Sequence, residues 1–128
     1  METRRPARIF IVDDSRVIQM MLADMFSEIP SVEIVGTAET EDEAIAGILE
    51  KRPDCVLLDM QLKRGDGVSV LQAVRPKAPD IVFLVMTNNE GEKYRRACRA
   101  AGACHFLDKT NEFNKIRYVI DGLDLGRK

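Results

Sequence analysis

Five short apolar runs of this sequence each end, at their C-terminal side, in a polar residue. The residues concerned are Asp13-Asp14, Thr37, Asp59, Thr87 and Lys109. If the runs are strands of one parallel sheet, their C-terminal ends lie along a single edge, where open α/β folds build their binding sites. We therefore expect three carboxylates, two hydroxyls and an ammonium group to meet there.

These groups suit one kind of chemistry. Three crowded carboxylates repel one another, and Lys109 supplies a single positive charge against them. The remaining negative charge and the oxygen ligands suit Mg²⁺, which often shares its coordination with a phosphate. An aspartate beside Mg²⁺, with a hydroxyl and a lysine free to hold phosphoryl oxygens, is equipped to become an aspartyl phosphate. Taken alone, most of these residues have a simpler explanation, such as a helix cap for Asp13-Asp14 or a surface position for Lys109. Asp59 is less easily explained, because one step back along its strand would bury an ionised carboxylate.

The spacing of apolar residues predicts the elements that carry these groups. Continuous apolar runs are typical of strands buried on both faces. The predicted strands are Ile9–Val12, Val32–Thr37, Cys55–Leu58, Ile81–Met86 and His105–Leu107. A helical pattern follows each strand, with a capping box at Thr40 and Glu43, a cap at Asp66 and a helix end at Gly102. Five strand–helix pairs predict an α/β fold, a doubly wound five-stranded parallel sheet with helices on both faces.

Composition sets bounds on the class of protein. The chain has 128 residues, 45% hydrophobic and 31% charged, which is typical of one soluble domain. A net charge of -2 gives no general reason to expect nucleic acid or a membrane as partner. No apolar stretch is long enough to span a bilayer and no signal peptide is recognisable, so we predict a cytoplasmic protein. Cys55, Cys98 and Cys104 share no metal-ligand spacing, and we expect Cys55 and Cys104 to pack as small apolar residues.

The set of strand-end residues resembles the receiver domain of two-component response regulators, which has a CheY-like, flavodoxin-like (βα)5 fold with strand order 2-1-3-4-5. That family has an acidic pair after strand one, a phosphoacceptor Asp after strand three, Thr or Ser after strand four and Lys after strand five. The matching residues are Asp13-Asp14, Asp59, Thr87 and Lys109, with Gly67 at the family's glycine turn. The likeness covers essentially the whole chain, so residues 1–128 are expected to form one receiver domain. It also places strand two at the sheet edge, which makes Thr37 a loop residue outside the site.

The resemblance implies a role for each matched residue. Asp59 would accept a phosphoryl group from a histidine kinase or a histidine phosphotransfer protein. Thr87 would donate a hydrogen bond to that group, and Lys109 would pair with it. The Mg²⁺ ligands would be Asp13, Asp14, Asp59 and the backbone carbonyl of Gln61.

The resemblance also implies an output. Thr87 and the aromatic residue of strand five, Phe106, would move on phosphorylation and change the surface of the fourth helix, the fifth strand and the fifth helix. A downstream protein would bind that surface, with no direct contact to nucleic acid or membrane. The chain would be a monomer or a phosphorylation-dependent dimer, and it would act as a switch rather than as a turnover enzyme.

The sequence departs from the family pattern at three positions. Lys63 stands where the family usually has proline, four residues after Asp59, and Thr110 replaces a cis proline after Lys109. Asn88 follows Thr87 where a small residue is usual, and we expect it to narrow access to Asp59. A group of basic residues before Gly102 fits either a solvated helix face or a docking surface for an acidic partner. Its members are Lys93, Arg95, Arg96 and Arg99.

Other kinds of protein remain to be weighed against this prediction. We expect a stand-alone receiver in preference to one excised from a larger response regulator or hybrid kinase. A haloacid-dehalogenase-like phosphatase also uses a strand-end aspartate, but it needs a second acid where Gln61 stands. A flavodoxin-like FMN carrier shares the topology, but Asp13-Asp14 would repel its phosphate.

Overall fold

A computed structural model describes residues 6–87, 96–97, 99–100, 105–108, 115–116, 118 and 120, with Thr87 and Asp108 described by their backbone. Within these residues, parallel strands form one five-stranded sheet in the order β2-β1-β3-β4-β5. The strands are β1 (Ala7–Val12), β2 (Val32–Ala38), β3 (Cys55–Asp59), β4 (Val82–Thr87) and β5 (His105–Asp108). The predicted fold class and strand order are confirmed. Thr37 lies within β2 and pairs with Ile11, as the predicted strand Val32–Thr37 requires, so the prediction that it is a loop residue is wrong.

Three helices are fully described, and each is preceded by a capping residue whose side chain accepts a backbone N–H of the first turn. They are α1 (Arg16–Ser27), α2 (Glu41–Lys51) and α3 (Gly67–Val74), capped by Ser15, Thr40 and Asp66. The predicted caps at Thr40 and Asp66 are therefore confirmed. Residues 96–97, 99–100, 116, 118 and 120 are also helical, as the last two predicted helices require. Gly102, Cys98 and Cys104 lie outside the described residues.

The sheet is buried on both faces because successive side chains of its inner strands alternate between two apolar clusters. Phe10, Val56 and Val85 belong to the cluster covered by α2 and α3. Ile9 and Leu57 belong to the cluster covered by α1 and by the helical residues 116 and 120. Because helices cover both faces of the sheet, most side chains of successive inner-strand residues are buried, which explains the continuous apolar runs in the sequence.

Cys55 packs in the second cluster and is fully buried, as predicted. None of the helices within the described residues is long and apolar enough to cross a membrane.

Candidate functional site

Three carboxylates meet at the carboxyl edge of the sheet, as the sequence predicts. Val12 pairs with Leu58, so the residues that follow them, Asp13 and Asp59, lie side by side at the ends of β1 and β3. Together with Asp14 they can place one carboxylate oxygen each within 4.8 Å of one another. Asp13 and Asp59 are buried, whereas Asp14 is exposed. The cluster therefore opens to solvent on the side of Asp14.

Local hydrogen bonds hold Asp13 in place. Its Oδ1 accepts the backbone N–H of Ser15 at 2.8 Å, and its own N–H donates to the Ala38 carbonyl of the neighbouring strand at 3.0 Å. The side chain of Gln19, one turn into α1, donates through Nε2 to the Asp13 carbonyl at 2.7 Å. The sequence analysis did not identify Gln19, because no motif distinguishes it from other polar helix residues. These contacts fix the turn that follows β1.

The loop between β3 and α3 is equally constrained around Asp59. Asp59 Oδ1 accepts the N–H of Gln61 at 3.2 Å, and the N–H of Gly67 donates to the Met60 carbonyl at 2.9 Å. A Cβ atom on Gly67 would lie 2.7 Å from the Asp59 carbonyl oxygen, closer than real Cβ contacts occur. Only glycine lets the start of α3 approach the backbone of Asp59 this closely. This contact gives a physical reason for the glycine that the family pattern has here.

Among the remaining predicted site residues, the structure describes the backbone of Thr87 and the side chain of Phe106. Asp59 pairs with Met86, so the backbone of Thr87 lies one residue further along the neighbouring strand. Phe106 is half-buried against the first cluster, and the guanidinium carbon of Arg99 lies 5.1 Å from its ring centroid, within the range of a cation–π contact. Several residues singled out in the sequence lie outside the described residues. They are Lys109, Asn88, Thr110, Lys93 and Arg95.

An ion-pair network that the sequence analysis missed lies along the same edge of the sheet. Glu39, directly after β2, binds Lys63 through Oε1 at 2.9 Å and Arg16 through Oε2 at 2.8 Å. The hydrogen bonds that Lys63 and Arg16 donate to Glu39 hold the pKa of its carboxyl below the ordinary value, with Lys63 having the larger effect. The hydrogen bond that Arg16 donates to Glu39 also raises the pKa of Arg16. The network joins the start of α1 to the loops that follow β2 and β3. Strand two therefore contributes a charged group to this edge, through Glu39 rather than Thr37.

The lowered pKa of Glu39 makes the contribution of this network depend on pH. Its carboxylate stabilises the fold at pH values above the ordinary pKa of 4.5, and this contribution is lost as the pH falls through the lowered value. Glu39→Gln should therefore lower the free energy of unfolding at neutral pH, with the difference from wild type disappearing in acid. Denaturant unfolding across a pH series measures this, and high salt should shrink the difference because the pairs are exposed. A difference that grew towards acid would contradict the assignment.

The three carboxylates fit a hard divalent cation. Carboxylate oxygen is the donor that Mg²⁺ prefers, and Mg²⁺ fills its remaining positions with water or a phosphate oxygen. Asp13, Asp14 and Asp59 have the donor chemistry and the spacing that such an ion requires. The fold and this cluster define a class of protein, a small open α/β domain with a cluster of three carboxylates at the carboxyl edge of its sheet.

Comparison with known proteins identifies the family. Residues 9–121 match the response regulator receiver domain. The chain therefore belongs to the receiver domain family of response regulators, which are phosphorylation-dependent switches.

Individual relatives agree with this assignment. The chain is 33% identical over 97% of its length to protein-glutamate methylesterase/protein-glutamine glutaminase 3 of Geobacter sulfurreducens, but it spans only 33% of that relative. It is 27% identical to the transcriptional activator DevR/DosR of Mycobacterium tuberculosis, over 94% of this chain and 55% of that one. Its fold matches the receiver domain of NarL from the same organism with a TM-score of 0.84 and 26% identity, covering 96% of this chain and 99% of the other.

Proposed function

We propose that this receiver domain accepts a phosphoryl group on Asp59 from a histidine kinase or a histidine phosphotransfer protein. The observation that carries the proposal is the cluster of Asp13, Asp14 and Asp59, in which Asp59 is nearly buried at the end of a central strand. Mg²⁺ would be held by these three carboxylates and by the backbone carbonyl of Gln61. When bound, the ion offsets the negative charge of the carboxylates and of the incoming phosphoryl group.

The transfer itself needs little covalent chemistry from the protein. A carboxylate oxygen of Asp59 attacks the phosphorus, and an O–P bond forms while the N–P bond to the donor imidazole breaks. The bonding electrons leave with the imidazole nitrogen. Thr87 would donate a hydrogen bond to the transferred group, and Lys109 would pair with its charge. The contribution of these residues is positioning and electrostatic stabilisation.

The output would be a change of surface. Thr87 and Phe106 would switch together, and Phe106 has no hydroxyl, so its part of the switch works through packing. The surface of the fourth helix, β5 and the fifth helix would bind a downstream protein rather than nucleic acid or membrane. Arg99, which lies over the Phe106 ring, belongs to this region and supports a link between ring packing and surface charge. The chain would be a monomer or would dimerise on phosphorylation, and it would not turn over a substrate.

Acetyl phosphate provides a direct test. Incubation with acetyl phosphate and Mg²⁺ should add one acid-labile phosphoryl group per chain, detected by intact-protein mass spectrometry, and chelation of Mg²⁺ should prevent it. Sustained release of phosphate from unrelated phosphate esters would instead favour a haloacid-dehalogenase-like phosphatase. Failure to label under conditions that label another receiver domain would overturn the proposal.

A further inference from the structure

The loop between Asp59 and α3 forms hydrogen bonds and an ion pair with the residues that follow β2. Lys63 Nζ contacts Glu39 Oε1 at 2.9 Å, and the N–H of Asp66 donates to Glu41 Oε1 at 3.2 Å. Between these two contacts, the N–H of Glu41 donates to the Arg64 carbonyl at 2.9 Å. Three contacts thus join one short loop to one short segment. We call residues 39–41 the clamp segment.

Backbone hydrogen bonds within the loop also join its two ends. A displacement of Lys63 or Asp66 would therefore also move the backbone at Gln61. Gln61 and Asp66 form an antiparallel bridge, and Gly67 donates to the Met60 carbonyl. Gly65 turns the chain at a φ of 88°, a conformation that side chains disfavour. The outer contacts at Lys63 and Asp66 therefore set the position of the backbone at Gln61.

The loop carries Lys63 at the position where proline is usual in this family. Proline would restrict the loop backbone by fixing φ. Lysine leaves the backbone free, but its ammonium group can form an ion pair with a neighbouring carboxylate. That carboxylate is Glu39, whose side chain is only 19% exposed and also forms an ion pair with Arg16. A second cation on the same carboxylate holds that carboxylate in one orientation.

We propose that Glu39 and Glu41 are positioning residues for the Mg²⁺ site, because they fix the loop that presents the Gln61 carbonyl and the Asp59 side chain. The proposal rests on the proposed function, in which Gln61 is a metal ligand. Lys63 and Arg16 are exposed, and ion pairs with an exposed cation are individually weak, so we expect loss of the Glu39–Lys63 contact to raise the Kd for Mg²⁺ about threefold. Glu41→Ala, which removes the acceptor for Asp66, should raise it as well.

Two single substitutions distinguish a clamp from a simple effect of charge. Glu39→Gln removes a negative charge near the site, and this alone would weaken Mg²⁺ binding through space. Lys63→Met removes a positive charge, which alone would strengthen it. If the clamp segment positions the loop, both substitutions should weaken Mg²⁺ binding, and the double variant should bind Mg²⁺ no more weakly than either single variant. Glu33→Gln and Lys77→Met, at the opposite edge of the sheet, are the matched controls and should leave the Kd unchanged.

Hydrogen exchange of the metal-free protein provides a readout that does not involve Mg²⁺. The backbone N–H groups of Gln61, Asp66 and Gly67 should exchange faster in Glu39→Gln and in Lys63→Met than in wild type, while those of the inner strands stay protected. Tighter Mg²⁺ binding in Lys63→Met, or unchanged loop exchange in both variants, would overturn the clamp. If wild type itself bound no Mg²⁺ and Asp59 accepted no phosphoryl group, the proposed function would fail, whereas the exchange experiment would still test the clamp.

Discussion

Replacing Asp59 with asparagine should abolish phosphorylation by acetyl phosphate and make the metal-free protein more stable. The amide is isosteric, so the strand end keeps its shape, but it has no carboxylate oxygen to attack phosphorus. The added stability follows from charge. Asp59 is only 7% exposed and lies beside two other carboxylates whose oxygens are within 4.8 Å. Unit charges at such a separation repel by about 1 kcal/mol in bulk water and by more inside a protein, so we expect a gain on the order of 1 kcal/mol.

Intact mass after exposure to acetyl phosphate and denaturant unfolding in a chelating buffer measure the two effects of Asp59→Asn. Asp80→Asn is the matched control, because Asp80 is an exposed carboxylate at the opposite edge of the sheet. It should leave both phosphorylation and stability unchanged. Full labelling of Asp59→Asn would place the phosphoacceptor elsewhere, and a loss of stability would show that carboxylate repulsion does not dominate at the site.

Replacing Gly67 with alanine should damage both the fold and the site. The added Cβ would lie 2.7 Å from the Asp59 carbonyl oxygen, and neither backbone can withdraw without moving β3 or the start of α3. Overpacking of this kind typically costs about 1–3 kcal/mol. Because the displaced atoms belong to Asp59, the proposed phosphoacceptor, we also expect weaker Mg²⁺ binding and slower labelling by acetyl phosphate.

Gly47→Ala is the matched control for Gly67→Ala. Gly47 lies within α2, where alanine favours the helix, and its added Cβ would meet the ring of Phe10 rather than the backbone of a site residue. It should leave Mg²⁺ binding unchanged. Denaturant unfolding and Mg²⁺ titration compare the two variants. Equal stability and equal Mg²⁺ affinity for Gly67→Ala and wild type would show that the loop adapts freely.

The main features of the site could be predicted because each depends on chain order alone. Apolar runs long enough for strands, separated by helical patterns, require a parallel sheet, and a parallel sheet places the ends of its strands at one edge. Asp13 and Asp59 directly follow such runs, so their meeting needed no knowledge of side-chain conformations. The caps at Thr40 and Asp66 were predictable for the same reason, because a cap acts on a backbone N–H only a few residues away.

Contacts between separate loops could not be predicted in this way. In the sequence, Glu39 is one of several acidic residues around α2, and Gln19 is indistinguishable from other polar residues of α1. Their partners are distant in sequence and depend on loop geometry and side-chain rotamers.

By itself, the sequence determined the order of the elements, the gathering of Asp13, Asp14 and Asp59 at one edge and the oxygen-rich chemistry that suits Mg²⁺. These follow from local patterns and from the topology that such patterns permit. Only the tertiary structure decided how that edge is held together, with Glu39 joining the start of α1 to the loop that follows β3, and with Gly67 packed against the backbone of Asp59. The physical reason is range: hydrophobic periodicity and capping act over a few residues, whereas these contacts exist only once distant loops are packed side by side.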